Sequence, residues 1–210
     1  MKFSILAFLS FVLVHASSGA PAPGDLADTW RKAEVTPLAR PEALRAVRRF
    51  QQTQGRYETV EETRPNGVPA IVVFALHGRE SGWDFRCHLH EGSPLTHRTK
   101  YVPKGRPAAG NPPFSWETSA EDALYILKSE QSVEWSNIGE LLWAVEKYNG
   151  TGYRRYHPEV PTPYIWSKTT ASKRGKYVED GRFDRMAIDS QLGCAAIFKI
   201  YLEQGNRFPP

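Results

Sequence analysis

The chain has 210 residues, 40% hydrophobic and 12% aromatic, with 27 Lys and Arg against 23 Asp and Glu. That is a globular composition, which excludes a disordered, collagen-like or cysteine-dense scaffold, and the length suits one domain with a real core. A formal charge of +4 suits an anionic partner such as a bacterial wall, a membrane surface or nucleic acid, but is small enough to serve solubility alone.

The chain opens with Lys2, an apolar run from Phe3 to Val14, and the small residues Ala16-Ser17-Ser18-Gly19-Ala20. The run is too short to span a bilayer, and the layout predicts a cleaved secretory signal over 1–20. A secreted domain over 21–210 follows, extracellular or periplasmic, with a net charge of about +3 once Lys2 is gone. No later run is long enough for a membrane span, so stable membrane insertion is not expected. Export also bears on the two cysteines, Cys87 and Cys194. A disulfide between them would close a loop of roughly 100 residues and contribute about 3 to 5 kcal/mol; two buried thiols are the alternative.

After a stiff Pro-rich leader to Gly24, Leu26, Trp30 and Ala33 at helical spacing predict a first helix, and Pro41 opens a second carrying Leu44, Val47 and Phe50. The run Ala70-Ile71-Val72-Val73-Phe74-Ala75-Leu76 is apolar on every side, the pattern of a buried helix, although its β-branched residues also permit a strand. His77, Arg79 and Glu80 follow, and Gly82 stops the helix. Turn signals between 84 and 115 predict strands and loops, with a hairpin from about Phe85 to Val102. Ser119 is read as the cap of a helix through Ala123, Leu124, Ile126 and Leu127. Another helix is expected from Asn137 to Tyr148, then a Pro- and Tyr-rich loop over 150–164, then a last helix from Asp184 to Glu203. The fold class is α+β, mostly helical, with a buried central helix and a small β-hairpin insertion.

Glu80 is the candidate for the chemistry. A carboxyl at the end of a buried helix is partly desolvated, which disfavours its charged form and suits a general acid for a glycosidic oxygen. An ion pair with Arg79 or Lys104 is the plain alternative. The stretch from Phe74 to Gly82, ending in Glu80-Ser81, resembles the signature that closes the catalytic helix of soluble lytic transglycosylases and goose-type lysozymes. Tyr148-Asn149-Gly150-Thr151-Gly152-Tyr153, with Tyr164 beyond it, is similar to the Tyr-Asn-x-Gly segment lining their substrate cleft. The run from His88 to Leu95, continuing to Arg106-Pro107, also resembles phage-type lysozyme-like proteins. There an acid is expected at the hairpin tip, where this chain has Glu91-Gly92-Ser93.

The resemblance implies a lysozyme-like fold and a muramidase acting on the β-1,4 bond of peptidoglycan, with Glu80 as acid and Glu91 or Asp84 as partner; Glu117 is a third candidate. It implies that His90, Thr99, Tyr148, Asn149 and Tyr164 hold the sugars. A lytic transglycosylase or chitinase-type activity is the near alternative, and a non-catalytic glycan binder or a metal-dependent hydrolase the distant one. Asn149-Gly150-Thr151 is also a glycosylation sequon. His77, His88, His90 and His97 fall in one window, and His-x-His on a strand puts two rings on one face. No His-Glu-x-x-His helix accompanies them, so no metal or other cofactor is expected, nor a nucleic-acid partner, and the chain reads as a monomer.

Overall fold

The structure is a computed structural model describing residues 24–101, 103–126, 133–179 and 181–209. The secretory signal expected over 1–20 and the helix position Leu127 lie outside them. The described chain forms two compact units: Thr53–Ser132 is one, and the other joins residues up to Gln52 with those from Val133 onward. Among the described residues no helix is long and apolar enough to cross a membrane. The architecture is mostly helical with one small antiparallel sheet, an α+β arrangement.

The first unit takes the second half of α2 (Arg40–Glu61), then α3 (Ala70–Ser81) and α4 (Trp116–Glu121), which runs on into a π-helical turn at Asp122–Ile126. In α3 every residue from Ala70 to Leu76 is buried, none more than 6% exposed. The strand alternative for this run therefore falls. Burial on all sides leaves α3 no water to satisfy its first amides, and the Glu61 carboxylate accepts the Ala70 N–H at 2.8 Å instead. At the other end Gly82 adopts φ 63° and ψ 32° and donates its N–H to the Gly78 carbonyl, the left-handed stop that its sequence position predicted.

The second unit holds α1 (Gly24–Lys32), the first half of α2, α5 (Ile138–Asn149), the short helices α6 (Gly152–Tyr156) and α7 (Pro163–Trp166), strands β1 (Lys176–Glu179) and β2 (Arg182–Asp184), and α8 (Cys194–Glu203). Asn137 caps α5, its side-chain oxygen accepting the Gly139 N–H at 3.0 Å. α7 packs on α5 and on α8, whose apolar face from Ala195 to Ile200 supplies much of this core. The strands pair Lys176 with Asp184 and Tyr177 with Phe183.

Four sequence expectations change. Val102, the expected end of the 85–102 hairpin, lies outside the described residues, and among the described ones the span is not a sheet: it contains one isolated bridge, Cys87 to Pro94, and is otherwise turns held by side chains. Ser119 is no cap; Ser115 caps α4 by accepting the Thr118 N–H, and Ser119 is buried in mid-helix. The last helix begins at Cys194, ten residues late. Asp184 accepts the N–H groups of Met186 and Ala187 in an Asx turn, which competes with helix formation and leaves Met186 68% exposed. Finally, Cys87 and Cys194 are not bonded. Cys194 lies fully buried at the start of α8 in one unit, while Cys87 belongs to the other, where burial pushes its thiol pKa up and keeps it protonated. The loop-closure stabilisation expected from a disulfide is absent.

Candidate functional site

The expected catalytic residues all lie in the first unit, around the C-terminal end of α3. Glu80 occupies the last buried turn of that helix, 2% exposed. Beyond the Gly82 stop, Trp83 also takes a positive φ of 62° and folds its indole back over the helix. It stacks on Phe74 with ring centres 5.1 Å apart and donates its Nε1–H to the Phe74 carbonyl at 3.0 Å. Gly78 makes room for this, since a Cβ there would stand 2.6 Å from the indole.

The chain then turns through Asp84, whose carboxylate receives the Arg86 guanidinium in a two-pronged contact at 2.7 to 3.2 Å. That hydrogen bonding, more than the opposing burial, holds the Asp84 pKa down to about 2. Asp84 is therefore a committed anion. Glu117 is likewise engaged, paired with Arg56 at 2.6 Å.

Glu91 stands differently. The turn from His88 to Leu95 is closed by the His88 N–H on the Ser93 carbonyl at 2.7 Å and the Gly92 N–H on the His88 carbonyl at 2.9 Å. Its tip rests on the end of α3: a Cβ at Gly92, which has φ +79°, would stand 2.7 Å from the Glu80 carbonyl oxygen. The tip thus brings Glu91, 3% exposed, to the same corner as Glu80. Glu91 Oε1 accepts the Ser93 hydroxyl, and its Oε2 is buried with no hydrogen-bond partner among the described residues. Ser93, where an acid was expected by resemblance, serves to fix that carboxylate.

A polar hub anchors the segment from below. His88 Nε2–H donates to the His97 carbonyl at 2.8 Å, so its Nδ1 is the acceptor for the Ser119 hydroxyl at 2.8 Å. His90 donates from Nε2 to Asp122 at 2.8 Å, and its Nδ1 lies 3.4 Å from Ser119. Arg106 closes the hub with a fork on Asp122 at 2.9 and 2.5 Å. Burial lowers both histidine pKa values, that of His90 to about 4 despite Asp122. Thr99 ties the loop to Arg106, accepting the Arg106 N–H at 2.8 Å and donating to the Pro103 carbonyl.

His90 and Thr99, expected to touch sugars, are each 3% exposed, as buried as Glu80 and Glu91, and their side chains are engaged with Asp122 and with Arg106 and Pro103. Serine, histidine and aspartate meet here, but Ser119 is fully buried and its hydroxyl is used by His88, so the group holds structure rather than presenting a nucleophile. His77 is taken up by Tyr57, whose hydroxyl lies 2.9 Å from its Nδ1, within a box of Phe85 and Trp116. Among the described residues no three His, Cys, Asp or Glu side chains are grouped to hold a metal ion.

Tyr148, Asn149 and Tyr164, also expected to hold sugars, belong to the second unit. Tyr148 and Tyr164 are each 6% exposed, and Asn149 ends α5 half-buried before Gly150. Sequence reasoning missed Ser119, Asp122 and Arg106 as a group. The spacing of Ser119 and Asp122, one turn apart on a helix, was the available signal. Comparison of the chain with family models, with curated proteins and with solved structures finds no match.

Proposed function

We propose that the chain is an exported, lysozyme-like glycosidase that hydrolyses the β-1,4 bond between N-acetylmuramic acid and N-acetylglucosamine in peptidoglycan. The observation that carries this reading is the seating of the loop tip that holds Glu91 against the Glu80 carbonyl at the end of α3, with Asp84 and Glu117 both committed to arginines. Glu80 protonates the leaving glycosidic oxygen as the general acid of this step. Glu91, fixed through one oxygen by Ser93, offers the other to the developing oxocarbenium ion or to the attacking water, which delivers hydroxide to the anomeric carbon and its proton to a carboxylate. Tyr148, Asn149 and Tyr164 are assigned to sugar binding on the resemblance alone.

Glu80→Gln tests the reading. Clearing of a peptidoglycan suspension should fall by two orders of magnitude or more, on the scale of lost general-acid catalysis, while cosedimentation with the same walls persists. Undiminished clearing by the variant removes Glu80 as the acid. Wall binding without clearing by the unaltered protein makes it a glycan-binding module instead. Product mass separates the near alternatives, since an anhydro end signals intramolecular transfer and a reducing end hydrolysis.

A further inference from the structure

The second unit has an open pocket of about 110 Å³ that the proposed chemistry leaves unused. Its walls include Val160 and Trp166 on the apolar side and Asp25, Glu146, Arg154 and Thr162 on the polar side. Arg154 brings the charges together. Its Nε and Nη2 donate to the two oxygens of Glu146 at 3.0 and 2.7 Å, and its Nη1 reaches Asp25 at 3.1 and 3.2 Å. Glu146 is 2% exposed, whereas Asp25 stands open at the rim.

Two carboxylates therefore face one guanidinium, leaving the polar wall one negative charge in excess. Each carboxylate has about four acceptor positions and spends about half of them on Arg154. The Thr162 hydroxyl adds a further demand: it is buried and has no hydrogen-bond partner among the described residues, on a residue 4% exposed. A buried hydroxyl beside a pocket is satisfied by whatever fills it. The space equals about three or four water-sized groups. An anion would meet the excess negative charge, and Arg154 already spends all three of its nitrogens on carboxylates.

We propose that this pocket binds a primary ammonium carried on a short aliphatic stem, such as the end of a lysine-type side chain. The ammonium donates to the open positions of Glu146 and Asp25 and to Thr162 Oγ1, and the stem lies along Val160 and Trp166. Asp25 at the rim attracts the cation, and buried Glu146 holds it.

Titration of the full chain at low salt, followed by calorimetry and by NMR, tests this with n-butylammonium and with Nα-acetyl-lysine amide. Glucosamine, an ammonium without a stem, serves as a second source, and n-butanol and butyrate as uncharged and anionic controls. Saturable binding is expected for the two stemmed amines, at least tenfold tighter than for glucosamine or n-butanol, with none for butyrate. Thr162→Val, of equal shape, and Asp25→Asn, at an exposed position, should each weaken butylammonium binding about fivefold. The proposal is overturned if no amine saturates, if n-butanol binds as well as butylammonium, if glucosamine binds better, or if both variants bind unchanged. No lytic activity is read in this test, so its outcome and that of Glu80→Gln are independent.

Discussion

Replacing Gly92 with alanine probes the contact that brings Glu91 to the end of α3. Gly92 has φ +79°, and an added Cβ would lie 2.7 Å from the Glu80 carbonyl oxygen, inside the distance real methyl carbons keep. Two costs follow. Left-handed backbone costs an L-residue about 1 to 2 kcal/mol, and relieving a clash with fixed backbone costs about 1 to 3 kcal/mol more. Gly82 is the internal control, because it has φ +63° with nothing within 4 Å of an added Cβ. Gly82→Ala thus carries the backbone cost alone. Thermal unfolding reads the difference, and for a chain of this size each kcal/mol shifts Tm by about 2 to 4 °C. Gly92→Ala should therefore unfold several degrees below Gly82→Ala, with a larger loss of wall clearing at temperatures where both are folded. Equal Tm values for the two variants would refute the seating of the loop on α3.

Three other outcomes are expected. His90 has a folded pKa of about 4 against an ordinary 6.5, so on acidification the unfolded chain takes up its proton first; stability present above pH 6.5 is lost between about 6.5 and 4, on the order of 3 kcal/mol. Urea melts at stepped pH should show this slope, and His90→Gln should flatten it, while the Asp84–Arg86 pair gives way only below pH 4, as pH falls toward about 2. Trp83→Ala removes the stack on Phe74 and should cost about 2 to 3 kcal/mol, read by chemical denaturation. Alkylation after unfolding without reductant should label two thiols per chain, and reductant should leave Tm unchanged; a single disulfide mass would contradict the structure.

How much was legible in the sequence depended on where the information resides. The buried helix was readable because Ala70 to Leu76 is apolar all round, and its end because Gly82 is the residue that tolerates φ 63°. α5 was readable from Asn137 and the spacing of Ile138, Leu141, Leu142 and Val145. The segment after Glu80 was not, because its order comes from side chains distant in sequence: His88 finds Ser119, 31 residues on, and Arg106 finds Asp122, 16 residues on. Pattern rules look for alternation and see none of this. The β1–β2 hairpin did carry a local signal, since the sequence Asp180-Gly181 between Tyr177-Val178 and Phe183 is a dipeptide that favours two-residue turns. At the candidate site the sequence supplied Glu80 as the acid with Glu91 or Asp84 as its partner; the structure adds that Asp84 is ion-paired with Arg86 and that His90 and Thr99 are buried.

The hub of His88, His90, Arg106, Ser119 and Asp122 has a consequence for descent. Removing one member strands the others, charged or polar, in the interior, which is far costlier than replacing them together. Intermediate ancestors with a partial set would be poorly folded, so these five positions should be inherited as a block. A search for distant kin is therefore better keyed to their spacing, His-x-His, then Arg sixteen residues after the second histidine, then Ser-x-x-Asp ending sixteen further on, than to any strand pattern between them.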